Sequence, residues 1–174
     1  MRSKERQVLT TLFNNPKSWT YSQLVEETGI SKPQLANHLK TLAQAKMIKK
    51  ERQPGRHPTY TLENNETVKE RKRRHAQEEL EDLATTLAKS EADVAIIFGS
   101  MTRWDWYDDS DVDVFIYGDA PDLKAQEQKL GREIDLHHAK DKDDLRKMKH
   151  LLPHIIEGRF IKGNLEKLGA TIDV

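Results

Sequence analysis

The apolar positions of the first 62 residues recur at helical spacing and then change to the shorter beat of strands. From Ser3 to Phe13, Val8, Leu9, Leu12 and Phe13 fall on one stripe of a helix that Asn14-Asn15-Pro16 ends. A second helix is predicted from Ser22 to Thr28, with Leu24 and Val25 inward and Gly29 as its C-terminal break. Ser31-Lys32-Pro33-Gln34 opens a third. Ser31 is the expected cap, Pro33 sits near the first turn, and Gln34 stands three residues after the cap, as a capping box requires. Leu35, Leu39 and Leu42 give this helix an inner face and leave Lys32, Gln34, Asn37, His38 and Lys40 mostly outside. Met47 to Gln53 and Thr59 to Leu62 then read as two strands joined through Pro54-Gly55-Arg56-His57, a hairpin with a basic tip.

Between residues 63 and 90 the pattern thins. Val68, Leu80, Leu83 and Leu87 lie among dense charges with no Pro or Gly, which predicts a long helix whose narrow apolar stripe packs on its own domains or on a second chain. Arg71-Lys72-Arg73-Arg74 is the densest basic run on it, suited either to a DNA backbone or to a solvated face. Beyond it, an apolar strand through Ile96-Ile97-Phe98 ends at Gly99-Ser100. Ten residues on, Asp111-Val112-Asp113-Val114-Phe115 alternates acid and apolar. A further short strand reads through Glu133-Ile134-Asp135-Leu136-His137, and the mixed charges from Lys140 to Lys149 suit an exposed helix.

The alternation carries chemistry. Side chains two apart on a strand share a face, so Asp111 and Asp113 aim two carboxylates at one point while Val112 and Val114 face a core. Two such carboxylates repel unless neutralised, and Mg²⁺ or Mn²⁺ together with substrate phosphates is the natural partner. Asp135 supplies a third carboxylate, enough for two ions in an in-line phosphoryl displacement. Gly99 lets the backbone approach a phosphate, Ser100 offers a hydroxyl, and Arg103 adds charge beside them. A lone Asp-X-Asp is as well explained as a solvated strand edge. The apolar strand, the Gly-Ser turn, the spacing and the third carboxylate together select the metal-nucleotide reading. Trp104 and Trp106 follow the turn, an aromatic pair that either stacks on a base or fills the pocket, packing being the usual role. His137 and His138 point to opposite faces of a strand, so both cannot ligate one ion. His137 is the one on the side of Asp135, although structural roles are the simpler assignment.

Charge divides the chain. Residues 1–75 hold 16 Lys and Arg against 7 Asp and Glu, and residues 76–174 hold 13 against 22, so a net charge of zero hides a basic and an acidic half. The basic half suits a polyanion such as double-stranded DNA. No apolar run approaches the ~20 residues of a membrane span, and the charged start lacks a signal-type apolar stretch. Cys is absent, which excludes disulfides and thiolate metal sites and makes a reducing cytoplasm the expected location.

Ser31 through Leu62 resembles the arsenic-repressor-like winged helix-turn-helix regulators. The resemblance implies that the third helix enters the major groove, with Gln34 and Asn37 at base edges and Lys32, Lys40, Arg52 and Arg56 on phosphates. The same fold also serves as a protein-interaction module. Gly99-Ser100-Met101-Thr102-Arg103 with Asp109-Ser110-Asp111-Val112-Asp113 resembles the signature of the DNA polymerase β nucleotidyltransferase superfamily, in its minimal branch, over residues 92–163. Leu152 to Arg159 is similar to that branch's closing helix and strand. Relatives commonly carry Gly where this chain has Trp104.

These resemblances imply an α+β chain. Residues 1–63 form a winged helix-turn-helix, 64–90 a linker or dimerisation helix, and 91–174 a polymerase-β-like domain with a mixed sheet. They imply Asp111 and Asp113 as metal ligands, Asp135 as third ligand and base, and Gly99, Ser100 and Arg103 as the nucleotide site. The expected reaction moves a nucleoside monophosphate from ATP or another NTP to a protein or nucleic-acid hydroxyl. A homodimer and a small helical partner of toxin type, in a toxin-antitoxin-like system, follow by analogy. The alternative is a transcriptional regulator whose second domain senses nucleotide without catalysis. An antibiotic-modifying transferase is disfavoured because no substrate domain is expected after residue 163.

Overall fold

A computed structural model describes residues 3–169 and divides the chain into two compact units between Lys72 and Arg73. In the first, α1 (Ser3–Asn14) buries Val8, Leu9, Leu12 and Phe13. α2 (Tyr21–Thr28) buries Leu24 and Thr28, and α3 (Lys32–Gln44) buries Leu35, Leu39 and Leu42. The capping box expected at Ser31 is elsewhere. Ser31 makes no side-chain cap bond, and Gln34 instead accepts a hydrogen bond from Lys4 Nζ at 2.7 Å. Thr20 and Gln23 form the reciprocal box one helix earlier, and Gly29 ends α2 in the left-handed region. Pro33 at the start of α3 already removes one orphan N–H, so this helix depends less on a side-chain cap.

The wing strands are β2 (Ile48–Glu51) and β3 (Thr59–Leu62), antiparallel with Ile48 opposite Leu62. A strand without a signal in the sequence, β1 (Trp19–Thr20), pairs with β3 on its other side. Two residues are too few to show a period, and the buried Trp19 ring, tied by Nε1 to the Asn15 carbonyl, holds the pairing. The segment expected as one linker helix is helical as α4 (Glu66–Glu79) and α5 (Glu81–Lys89), interrupted at Leu80.

In the second unit a four-stranded sheet runs in the order β6-β5-β4-β7, with β4 (Val94–Phe98), β5 (Val112–Tyr117), β6 (Ile134–Ala139) and β7 (Arg159–Lys162). β4 is antiparallel to β5 and β7, whereas β5 and β6 are parallel and joined through α6 (Lys124–Leu130). Every β4 residue is buried, as a continuous apolar run in a central strand requires. One face is a core of Val94, Ile96, Phe98, Phe115 and Ala139, covered by Leu145 of α7 (Lys142–Lys147) and Ile155 of α8 (Leu152–Ile156). α5 lies against β4 and β7 on the other face, and Gln126 of α6 donates to Thr86 of α5. Gly158 turns α8 into β7. A Cβ there would stand 2.6 Å from the Ile97 carbonyl oxygen and 2.7 Å from Phe98 Cβ, so only a bare backbone crosses β4 at this point.

Candidate active site

Strand register brings the acidic chemistry together. Phe98 at the end of β4 stands opposite Asp113 on β5, Asp113 opposite Asp135 on β6, and Phe115 opposite His137. All five therefore share the face that the apolar core occupies further along, and the polar groups cap the core at the strand ends. One ligand atom each from Asp113, Asp135 and His137 lies within 4.8 Å of the others. His137 Nε2 is 3.7 Å from Asp113 Oδ1 and 3.3 Å from Asp135 Oδ2, and its ring rests on Phe98 with centroids 5.2 Å apart.

Gly99 makes the approach possible. Its φ of 76° and ψ of −157° belong to a region nearly reserved for glycine, and a Cβ there would stand 2.8 Å from Asp113 Cγ, inside its carboxylate. The turn continues as a 3₁₀ segment, Ser100–Thr102, with Thr102 Oγ1 donating to the Gly99 carbonyl at 2.9 Å. Burial pushes the Asp113 carboxyl above its ordinary range. The His137 ring works against the shift, while the Asp135 and Asp111 carboxylates add to it.

Several expected participants stand differently. Asp111 precedes β5, is exposed, and lies outside the three-residue cluster, acting on Asp113 only through its charge. Arg103 forks onto Asp105, with Nε and Nη2 each at 3.0 Å, rather than standing unengaged beside the turn. Trp104 is 41% exposed, so it does not fill the site as a buried plug. Trp106 is fully buried, stacked on His75 and flanked by Arg132. His138 faces away and shares a hydrogen bond with the Gly118 carbonyl. In the first unit Lys32, Gln34, Asn37, Lys40, Arg52 and Arg56 are all exposed.

Arg132 is the group the sequence concealed. Its guanidinium, 5% exposed, reaches Glu79 Oε1 at 2.7 Å and the carbonyls of Tyr107, Asp108 and Ser110 at 2.8, 2.7 and 3.2 Å. It therefore fixes the loop joining the Gly-Ser turn to the acidic strand. A single Arg after a glycine carries no such signal, because its partners lie 22 to 53 residues away.

The donor set fits a divalent cation. A half-buried carboxylate, Asp113, converges with an exposed one, Asp135, and His137 Nε2 is shut off from solvent with no hydrogen-bond partner among the described residues. Asp113 and Asp135 would hold the ion, which would offset charge that burial otherwise makes costly.

A mixed sheet carrying a glycine-serine turn opposite paired acids is the architecture of a nucleotidyltransferase-like domain, here following a winged helix-turn-helix. Residues 79–165, half of the chain, match the family described as polymerase beta, nucleotidyltransferase, and the chain belongs to that family. Residues 3–50 match the bacterial regulatory protein, arsR family, which makes the first unit a DNA-binding helix-turn-helix. No curated protein matches the chain. No described helix is long and apolar enough to cross a membrane.

Proposed function

We propose that this DNA-binding protein transfers a nucleoside monophosphate from a triphosphate, ATP by preference, to a hydroxyl on a protein or nucleic acid. The observation that supports it is the pairing of Asp113 with Asp135 across adjacent strands, against a backbone that only glycine permits at position 99. Asp113 and Asp135 hold Mg²⁺ or Mn²⁺, which supplies charge neutralisation on the triphosphate. Gly99 and Ser100 receive the phosphates, and Arg103 adds charge if it leaves Asp105. Asp135, the more exposed carboxylate at 58%, accepts the proton of the attacking hydroxyl. That oxygen bonds to the α-phosphorus, the bond to the β-phosphate's bridging oxygen breaks, and pyrophosphate leaves. Lys32, Lys40, Arg52 and Arg56 contact DNA phosphates and Gln34 and Asn37 base edges. The protein acts as a homodimer in the cytoplasm, on a small helical partner of toxin type.

The test is transfer of label from α-³²P-ATP to macromolecules of a cell lysate, beside Asp113→Asn and Asp135→Asn. Label that appears with the intact acids alone supports the reading; equal labelling, or none with any nucleotide, overturns it. The exposed Asp111, outside the cluster, favours a second reading in which the domain binds nucleotide without turnover. Saturable nucleotide binding that alters affinity for upstream DNA, with no label transferred, would identify that case.

A further inference from the structure

The cation site contains a nitrogen where a purely carboxylate site would have oxygen. His137 Nε2 faces both acids at 3.3 and 3.7 Å, has no hydrogen-bond partner among the described residues, and is hidden from solvent. Ligands about 2.1 Å from one ion stand roughly 3.0 to 3.4 Å apart at octahedral or tetrahedral angles, a spacing close to that of these atoms. The ring is held against Phe98, on the face that strand register gives to Asp113 and Asp135. Asp111, the other carboxylate in the stretch, lies outside the cluster.

We propose that His137 is the third protein ligand of the cation held by Asp113 and Asp135, and that this nitrogen makes the site select Mn²⁺ or another first-row transition ion over Mg²⁺. Two carboxylates and a neutral imidazole balance a double positive charge. Imidazole suits transition metals, whereas Mg²⁺ favours oxygen and gives up its water reluctantly. The inference rests on the metal site of the transferase reading and narrows its cofactor to one class of ion.

The experiment is pulsed electron paramagnetic resonance of Mn²⁺ added to the full chain without nucleotide, with Mg²⁺ competition followed in parallel. The wild type is expected to show modulation from a directly bound nitrogen-14 that is absent in His137→Gln and retained in His154→Gln, an exposed residue of α8. His137→Gln is expected to lower Mn²⁺ affinity about tenfold or more while changing Mg²⁺ affinity only about two- to threefold. Mn²⁺ bound with oxygen ligands only, or nitrogen modulation that survives in His137→Gln, overturns the inference and leaves the transferase reading standing. A wild type that binds neither ion, with or without ATP, overturns both. If His137→Gln fails to fold, labelling the histidines with nitrogen-15 and testing His137→Asn in its place keeps the assignment open to refutation, and an oxygen-only wild-type spectrum overturns it without any variant.

Discussion

At the scale of single residues, the site depends on Gly99 passing so close to Asp113 that a Cβ at position 99 would overlap its carboxylate. Gly99→Ala places a methyl inside the Asp113 carboxylate and forces a side chain into a glycine-only conformation. It is expected to cost roughly 1–3 kcal/mol in urea denaturation and to abolish Mn²⁺ binding by calorimetry. Wild-type affinity in this variant would show that the close approach is not needed. Asp113 carries the opposite lesson about stability. Burial holds its folded carboxyl above its unfolded range, so the ionised form opposes folding at neutral pH, and stability is gained as pH falls through the folded value. Asp113→Asn is therefore expected to raise the denaturation midpoint at pH 7 while destroying transfer. A lowered midpoint would mean that the His137 contact outweighs the desolvation.

At the scale of elements, two caps and one loop separate local from distant causes. Thr20→Ala is expected to destabilise by about 1 kcal/mol, because it removes a formed capping box, whereas Ser31→Ala is expected to change little. Equal destabilisation in thermal melts would place a cap bond at Ser31 after all. Arg132→Gln removes a buried guanidinium and leaves half-buried Glu79 and three loop carbonyls without their shared donor. A destabilisation of about 3 kcal/mol is expected, with faster hydrogen exchange confined first to residues 103–111. Lysine cannot restore it, since one ammonium lacks the planar fork that spans carboxylate and carbonyls together. A stable Arg132→Lys with unchanged exchange would refute the geometry.

At the scale of the whole molecule, the two halves carry opposite charge and different chemistry. The basic half should give DNA affinity that falls steeply with salt. Replacing Arg52 and Arg56 by Ala is expected to reduce the log–log salt slope by about 1 for each phosphate that is no longer neutralised, while sequence preference stays with Gln34 and Asn37. A slope that does not move in filter binding would take both arginines out of the interface.

Local pattern was enough to set the helices and hairpin of the first unit and the strands that carry the acids, but not β1, α6 or the break at Leu80. Leu35, Leu39 and Leu42 keep helical spacing, the run at Ile96-Ile97-Phe98 belongs to a buried strand, and Asp113 alternates with valines, all signals that lie within a few residues. The Gly-Ser turn and the two family signatures were legible for the same reason. Which acids meet was settled by folding at long range. Parity along one strand pairs Asp111 with Asp113; β5 begins at Val112, so Asp111 stands in the preceding loop, and register across strands brings Asp135 and, unforeseen as a ligand, His137 to Asp113. β1, the box at Thr20 and the reach of Arg132 were hidden likewise. Pairing register and buried hydrogen bonds link residues far apart in sequence, and no local period records which distant partner closes the bond.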